Sequence, residues 1–229
     1  MERILRAVRM QYANATAYFW VPAIIAVFAS GIVVLIALIV PTQETIYSGA
    51  ANAPIWFFAT AGIQSVLLTF PFALAMGVTR WEYSVSTFLA AVGAAGSLAL
   101  FAIALGWAED LTGGWWVGAY TFYLPWFWNQ GPLVTWILFT FVCVVLFQVA
   151  YVFTVVYKRY GMMSMVALIL ALILALLVPI WAITANSWWP QTLTFFSGLT
   201  PLEVGGTCLV ASIAIGALGY LALRKYEFR

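Results

Sequence analysis

No charged residue occurs in residues 19–40, and the same holds for 54–76, 87–107, 132–157, 163–184 and 204–223. Each stretch is about the 20 apolar residues an α-helix needs to cross a hydrocarbon layer. The expected fold is therefore an all-α integral membrane protein with six transmembrane helices, forming a single domain over residues 19–229. The balance of the whole chain agrees. Of its 229 residues only 7% are charged, against about 25% in a soluble domain.

Charge then orients the chain. The nine basic residues are Arg3, Arg6, Arg9, Arg80, Lys158, Arg159, Arg224, Lys225 and Arg229. With six spans all nine fall on one side, and the side rich in Lys and Arg is cytoplasmic. Both termini are expected inside, and Glu44, Glu109, Asp110 and Glu203 outside. Arg3, Arg6 and Arg9 recur at three-residue spacing beside Ile4, Leu5 and Val8. Residues 1–18 thus read either as an amphipathic helix in the headgroup layer or as an orienting cluster of arginines. The following run is too long for a signal-peptide core of about 7–15 residues, so it is expected to remain as the first span.

Other features have plain readings. Cys143 and Cys208 sit in apolar runs and read as small buried hydrophobes. The Asn14-Ala15-Thr16 glycosylation triplet falls on the inner side and reads as chance. Trp115, Trp116, Trp126, Trp128, Trp188 and Trp189 crowd the two longer outer loops, where an interfacial belt explains most of them. Their density also suggests short helices capping a cavity. Ala90, Gly93, Ala94, Gly96 and Ser97 form one small-residue face, and Ala167, Ala171 and Ala175 another. Such faces let helices approach closely in lipid, within one bundle or across a homodimer.

The chemistry available is limited. The chain has no His, which removes Ser-His-Asp catalysis and His-based zinc sites, and no metal site is expected. No span carries an Asp, Glu, Lys or Arg. Such residues mark proton relays and ion-coupled pathways, so an ion-coupled carrier is disfavoured. The G-x-x-x-x-G-K-[ST] phosphate loop is absent, so the chain is expected to be no ATPase and to hold no cofactor itself. The polar groups at membrane depth are neutral: Thr60, Gln64, Ser65 and Thr69 in span two, and Gln148 in span four. Each Gln serves either as hydrogen-bonding glue between helices or as part of a substrate path. A neutral stripe of this kind suits an amphipathic cargo better than an ion.

The remaining anomaly is Met76-Gly77-Val78-Thr79-Arg80-Trp81-Glu82-Tyr83. Its Arg80 and Glu82 are the only charges between Glu44 and Glu109. It reads as an obligatory inner turn or as a short helix offered to a soluble partner. This motif resembles the Gly-x-Thr-Arg-(Arg)-(Glu/Asp)-aromatic signature after the second span of ATP-binding cassette exporter permeases of the second type, with Trp81 where a second Arg is usual. The basic start, the six spans with both ends inside and the basic tail around Arg224, Lys225 and Glu227 are similar to the same family. The resemblance implies a membrane subunit that pairs with a second permease subunit, as homo- or heterodimer, with spans two and five lining the axis. It further implies separate cytoplasmic ATPase subunits that carry ATP and Mg, in a bacterial plasma membrane. By the same resemblance Gly77, Thr79, Arg80, Trp81, Glu82 and Tyr83 form the coupling element and residues 1–18 the connecting helix. The expected function is export of a hydrophobic or amphipathic compound such as an antibiotic, peptide or lipid. The alternatives are a non-transporting scaffold or immunity subunit and, behind it, the ion-coupled carrier. Replacing Arg80 and Tyr83 together by Ala is expected to weaken ATPase docking without affecting insertion.

Overall fold

The computed structural model describes residues 2–12, 16–40 and 45–224. The glycosylation triplet's Asn14 and Ala15, Glu44, and the tail with Lys225, Glu227 and Arg229 lie outside the described residues. Within them are six helical segments long and apolar enough to cross a membrane: Tyr18–Ile39, Gly49–Ala75, Arg80–Leu111, Pro132–Tyr160, Met162–Ala185 and Pro201–Arg224. The chain is an all-α, multi-pass membrane protein.

Helix α1 (Glu2–Gln11) precedes a π-helical turn at Thr16–Trp20 that runs into α2 (Val21–Ile39). Span two joins α3 (Asn52–Gln64), a π-helical turn at Ser65–Thr69 and α4 (Phe70–Ala75). The cause of the wide turn is Pro71, which has no N–H and whose ring would strike the carbonyl four residues earlier. Widening the preceding turn relieves that clash. Then come α5 (Arg80–Leu111), the four-residue α6 (Pro125–Trp128), α7 (Pro132–Tyr160), α8 (Met162–Ala185), α9 (Trp189–Gly198) and α10 (Pro201–Arg224).

Span three differs from its expected form. Residues 80–86 are not a separate short helix; they are the first two turns of the 32-residue α5. Thr79 starts it with a capping box: its hydroxyl accepts the Glu82 N–H, while the Glu82 carboxylate accepts the Thr79 N–H at 3.0 Å. Nothing after that cap breaks the helix. Gly93 and Gly96 sit where neighbours press against it, Tyr12 on the first and the Trp136 indole on the second.

The organising element is α7, against which α3, α5 and α10 all pack. Glycines set those distances. A Cβ on Gly62 would collide with the Phe147 carbonyl, and one on Gly205 would lie 3.3 Å from the Leu138 backbone. The core between these helices holds Phe58, Phe70, Tyr83, Leu98, Val144 and Phe147, all almost fully buried. By contrast α8 and α9 bury no residue within the chain.

At the end opposite α1, a two-residue parallel pairing ties β1 (Ile46–Tyr47) to β2 (Ala119–Tyr120). Glu109 anchors this cap. It is fully buried, and its Oε2 accepts the backbone N–H groups of Thr121, Phe122 and Tyr123 at 2.8–2.9 Å. Its Oε1 accepts the Trp115 indole N–H at 3.2 Å. Trp115 and Trp116 both hold positive φ, at 55° and 61°, a conformation rare for bulky side chains.

Candidate coupling site at the basic end of the bundle

Span two ends at Ala75, and Met76, Gly77 and Val78 make the turn into α5. Gly77 has φ 79°, which a side chain would strain, and Val78 closes the turn by donating its N–H to the Ala73 carbonyl at 3.1 Å. The motif's side chains then diverge. Met76 and Trp81 stand out, at 65% and 55% exposure, while Tyr83 is 0% exposed.

Tyr83 is the joint between two spans. Its hydroxyl donates to the Ser65 carbonyl at 2.6 Å, the first residue of the π-helical turn, and its ring lies 5.0 Å from that of Phe70. The wide turn in span two therefore rests on the first turn of span three. π-Helical turns inside α-helices occur often at functional sites.

Arg80 points the other way. Its Nη1 donates to the Arg224 carbonyl at 2.6 Å and the Leu223 carbonyl at 3.3 Å. From α7, the Arg159 guanidinium donates to the Ala222 carbonyl at 3.2 Å. The last carbonyls of a helix have no partner inside it and carry its negative dipole end, so two arginines close the terminus of α10. Trp81 adds an edge-to-face contact with Tyr220 at 5.0 Å.

The N-terminal helix completes the site. Gln11 is buried, and its amide donates to Thr87 Oγ1 at 2.9 Å and Ser86 Oγ at 3.2 Å. Tyr12 donates to the Ala90 carbonyl at 2.7 Å. Burial pushes the Tyr12 phenol above its ordinary value, so it stays protonated and keeps donating. Helix α1 is thus fixed to α5, and Arg3, Arg6, Met10, Met76, Gly77 and Glu82 line a cleft of about 430 Å³ between α1 and the turn.

These contacts give the motif's residues separate duties. Thr79 and Glu82 start the helix, Gly77 permits the turn, Arg80 holds α10 and Tyr83 holds span two. Replacing Arg80 and Tyr83 together would thus disturb the core and the α10 terminus, and does not isolate docking. Sequence reading missed Gln11, Tyr12 and Arg159. The capping box was legible in the spacing of Thr79 and Glu82; the arginine clasp on α10 joins residues 144 positions apart and left no local signal.

The neutral polar residues do not form one path. Thr60 and Gln64 are exposed on one side of α3, with the Thr60 hydroxyl donating to its own helix at Phe57. Ser65 is buried, donating to the Gly62 carbonyl, and Thr69 is half-buried in the wide turn. Gln148 lies apart from them, in a pocket bounded by α5, α7 and α10 that no residue of span two lines. No protein-family model matches the chain, and no curated protein or solved structure is similar to it.

Proposed function

We propose that this chain is the membrane-spanning permease subunit of an ATP-binding cassette exporter, moving a hydrophobic or amphipathic compound out of a bacterial cell across the plasma membrane. Separate cytoplasmic ATPase subunits, holding ATP and Mg, supply the work, and a second permease subunit completes the path. The observation carrying this reading is the 2.6 Å hydrogen bond from Tyr83 to the wide turn of span two, next to the outward-facing Met76 and Trp81. A force applied at Met76 and Trp81 meets a rigid base, because α1, α5 and α10 are fastened there by Gln11, Tyr12 and Arg80. It reaches the π-helical turn of span two, a span whose Thr60, Gln64 and Thr69 provide neutral polar groups for cargo. A large exposed aromatic beside an arginine is the usual make-up of an energetic interface centre. In this reading Met76, Gly77 and Trp81 touch the ATPase, and Thr79, Arg80, Glu82 and Tyr83 hold and transmit.

The test has two arms. Tagged chain purified gently from its own cells should bring a soluble ATP-hydrolysing subunit, and Trp81→Ala should lose it while staying monodisperse. Tyr83→Phe keeps the ring and removes the hydroxyl. It should retain the ATPase but lower cargo-stimulated hydrolysis several-fold. Solute uptake by the chain alone in vesicles, driven by a sodium or pH gradient, would overturn the reading.

A further inference from the structure

Between α5, α7 and α10 lies a cavity of about 260 Å³, lined chiefly by Trp81, Phe88, Gln148, Ile213, Ala217 and Tyr220. On α5 its walls run from Trp81 to Leu89, about 12 Å along the helix. The walls are mainly aliphatic and aromatic, with Ser84 and the Tyr220 hydroxyl as small polar groups and Gln148 as the one amide. Gln148 is only 3% exposed, and among the described residues its amide has no hydrogen-bond partner. Gly216 makes room for it: a Cβ there would lie 3.3 Å from Gln148 Nε2. A primary amide brings two donors and an acceptor, and Gln148 presents its amide to the cavity it lines. Such a group in an aromatic pocket is arranged for a partner from outside the chain.

The lining specifies that partner. No Asp, Glu, Lys or Arg lines the cavity, so a charged guest would find no counterion at membrane depth. Phe88, Trp81 and Tyr220 offer ring faces and edges, which favour a flat apolar body. We infer that this cavity binds a flat, neutral, membrane-soluble compound through a carbonyl or hydroxyl group that hydrogen-bonds the Gln148 amide. The site is separate from Thr60 and Gln64 and stands whether or not the chain exports anything. Because Trp81 forms its wall, an occupied cavity would also hold the first turn of α5 in place.

Purified chain in phosphatidylcholine nanodiscs, without any ATPase, provides the test. The probe is a naphthyl ketone bearing a diazirine, and the control is the same compound with the ketone reduced to a methylene. The ketone should label peptides containing Val85, Phe88, Ile213 or Ala217 about five- to tenfold more strongly than the control, the worth of one hydrogen bond at about 1 kcal/mol or slightly more. Gln148→Leu should remove that difference, and Gly216→Leu, which fills the cavity, should abolish labelling by both compounds. Should either variant fail to fold, competition on the unaltered protein decides: unlabelled ketone should displace the probe and unlabelled hydrocarbon should not. Equal labelling by ketone and control would mean an ordinary lipid-filled groove, and labelling confined to other helices would mean no site here; either result overturns the inference.

Discussion

Most charged and polar side chains of this chain whose contacts are described serve its own backbone. Glu82 and Glu203 each accept the backbone N–H of a threonine three residues earlier, and Glu109 collects three amides of the cap opposite α1. The two capping acids sit in a T-x-x-E spacing that sequence alone displays. The role of Glu109 was hidden, because an acidic residue at the end of a span reads first as a solvated charge. Its burial predicts a clear cost. Glu109→Ala leaves two buried backbone donors and a half-buried third without an acceptor and should destabilise the protein by about 1–3 kcal/mol or more. Thermal unfolding in detergent would read this as a lowered midpoint; an unchanged midpoint would mean the cap does not depend on the carboxylate. Two glycines give a sharper comparison. Gly62→Ala drives a methyl into the Phe147 carbonyl, whereas a Cβ on Gly31 meets nothing within 4 Å. The first should cost about 1–3 kcal/mol or more, as overpacking a tight core does. The second should be neutral or slightly stabilising, since Ala is the better helix former by about 1 kcal/mol.

The helices divide into those that hold the bundle and those that do not. Six apolar runs without charges were enough to place the spans, because the cost of burying backbone and charge in hydrocarbon leaves few alternatives. Two features were beyond that signal. One is the length of α5, set by where a capping box begins rather than by where apolar residues do. The other is the division of labour between the two small-residue faces. Ala90 and Ala94 are buried and the neighbouring Gly93 and Gly96 receive Tyr12 and Trp136, so this face packs inside the chain. Ala167, Ala171 and Ala175 belong to α8, which buries nothing. Both faces are built of small residues that allow close approach, so the three-dimensional placement is what separates their roles. The difference predicts unequal costs of truncation. Leu98, 1% exposed on α5, should lose about 2–5 kcal/mol when changed to Ala. Leu174, 61% exposed on α8, should lose under about 1 kcal/mol, as surface changes do. Paired unfolding curves in one detergent check this, and a Leu174 penalty as large as that of Leu98 would show that α8 is held by a contact outside the single chain.

Taken whole, the molecule has one basic end and one aromatic end. Arg80 begins α5, Lys158 and Arg159 end α7, Arg224 ends α10, and α1 with Arg3 and Arg6 lies against the turn before α5. At the other end Trp115, Trp116, Trp126 and Trp128 surround the Glu109 cap. Carrying an arginine through the hydrocarbon centre costs about 2.5–3.5 kcal/mol even by insertion measurements. Several arginines sharing one end therefore fix the orientation as a group, and changing any one of them should not invert it. The basic end should face the cytoplasm. Two positions report on this, one at each end of α5: Met76, 65% exposed, and Trp116, 81% exposed. In a chain with Cys143 and Cys208 replaced by Ala, Trp116→Cys should react with a membrane-impermeant maleimide in intact cells. Met76→Cys should react only after the cells are opened. The reverse pattern would invert the molecule and place Met76 and Trp81 where no cytoplasmic ATPase can reach them. Adding Arg80→Gln to both cysteine variants should leave the pattern as it was, because the remaining arginines still outvote it.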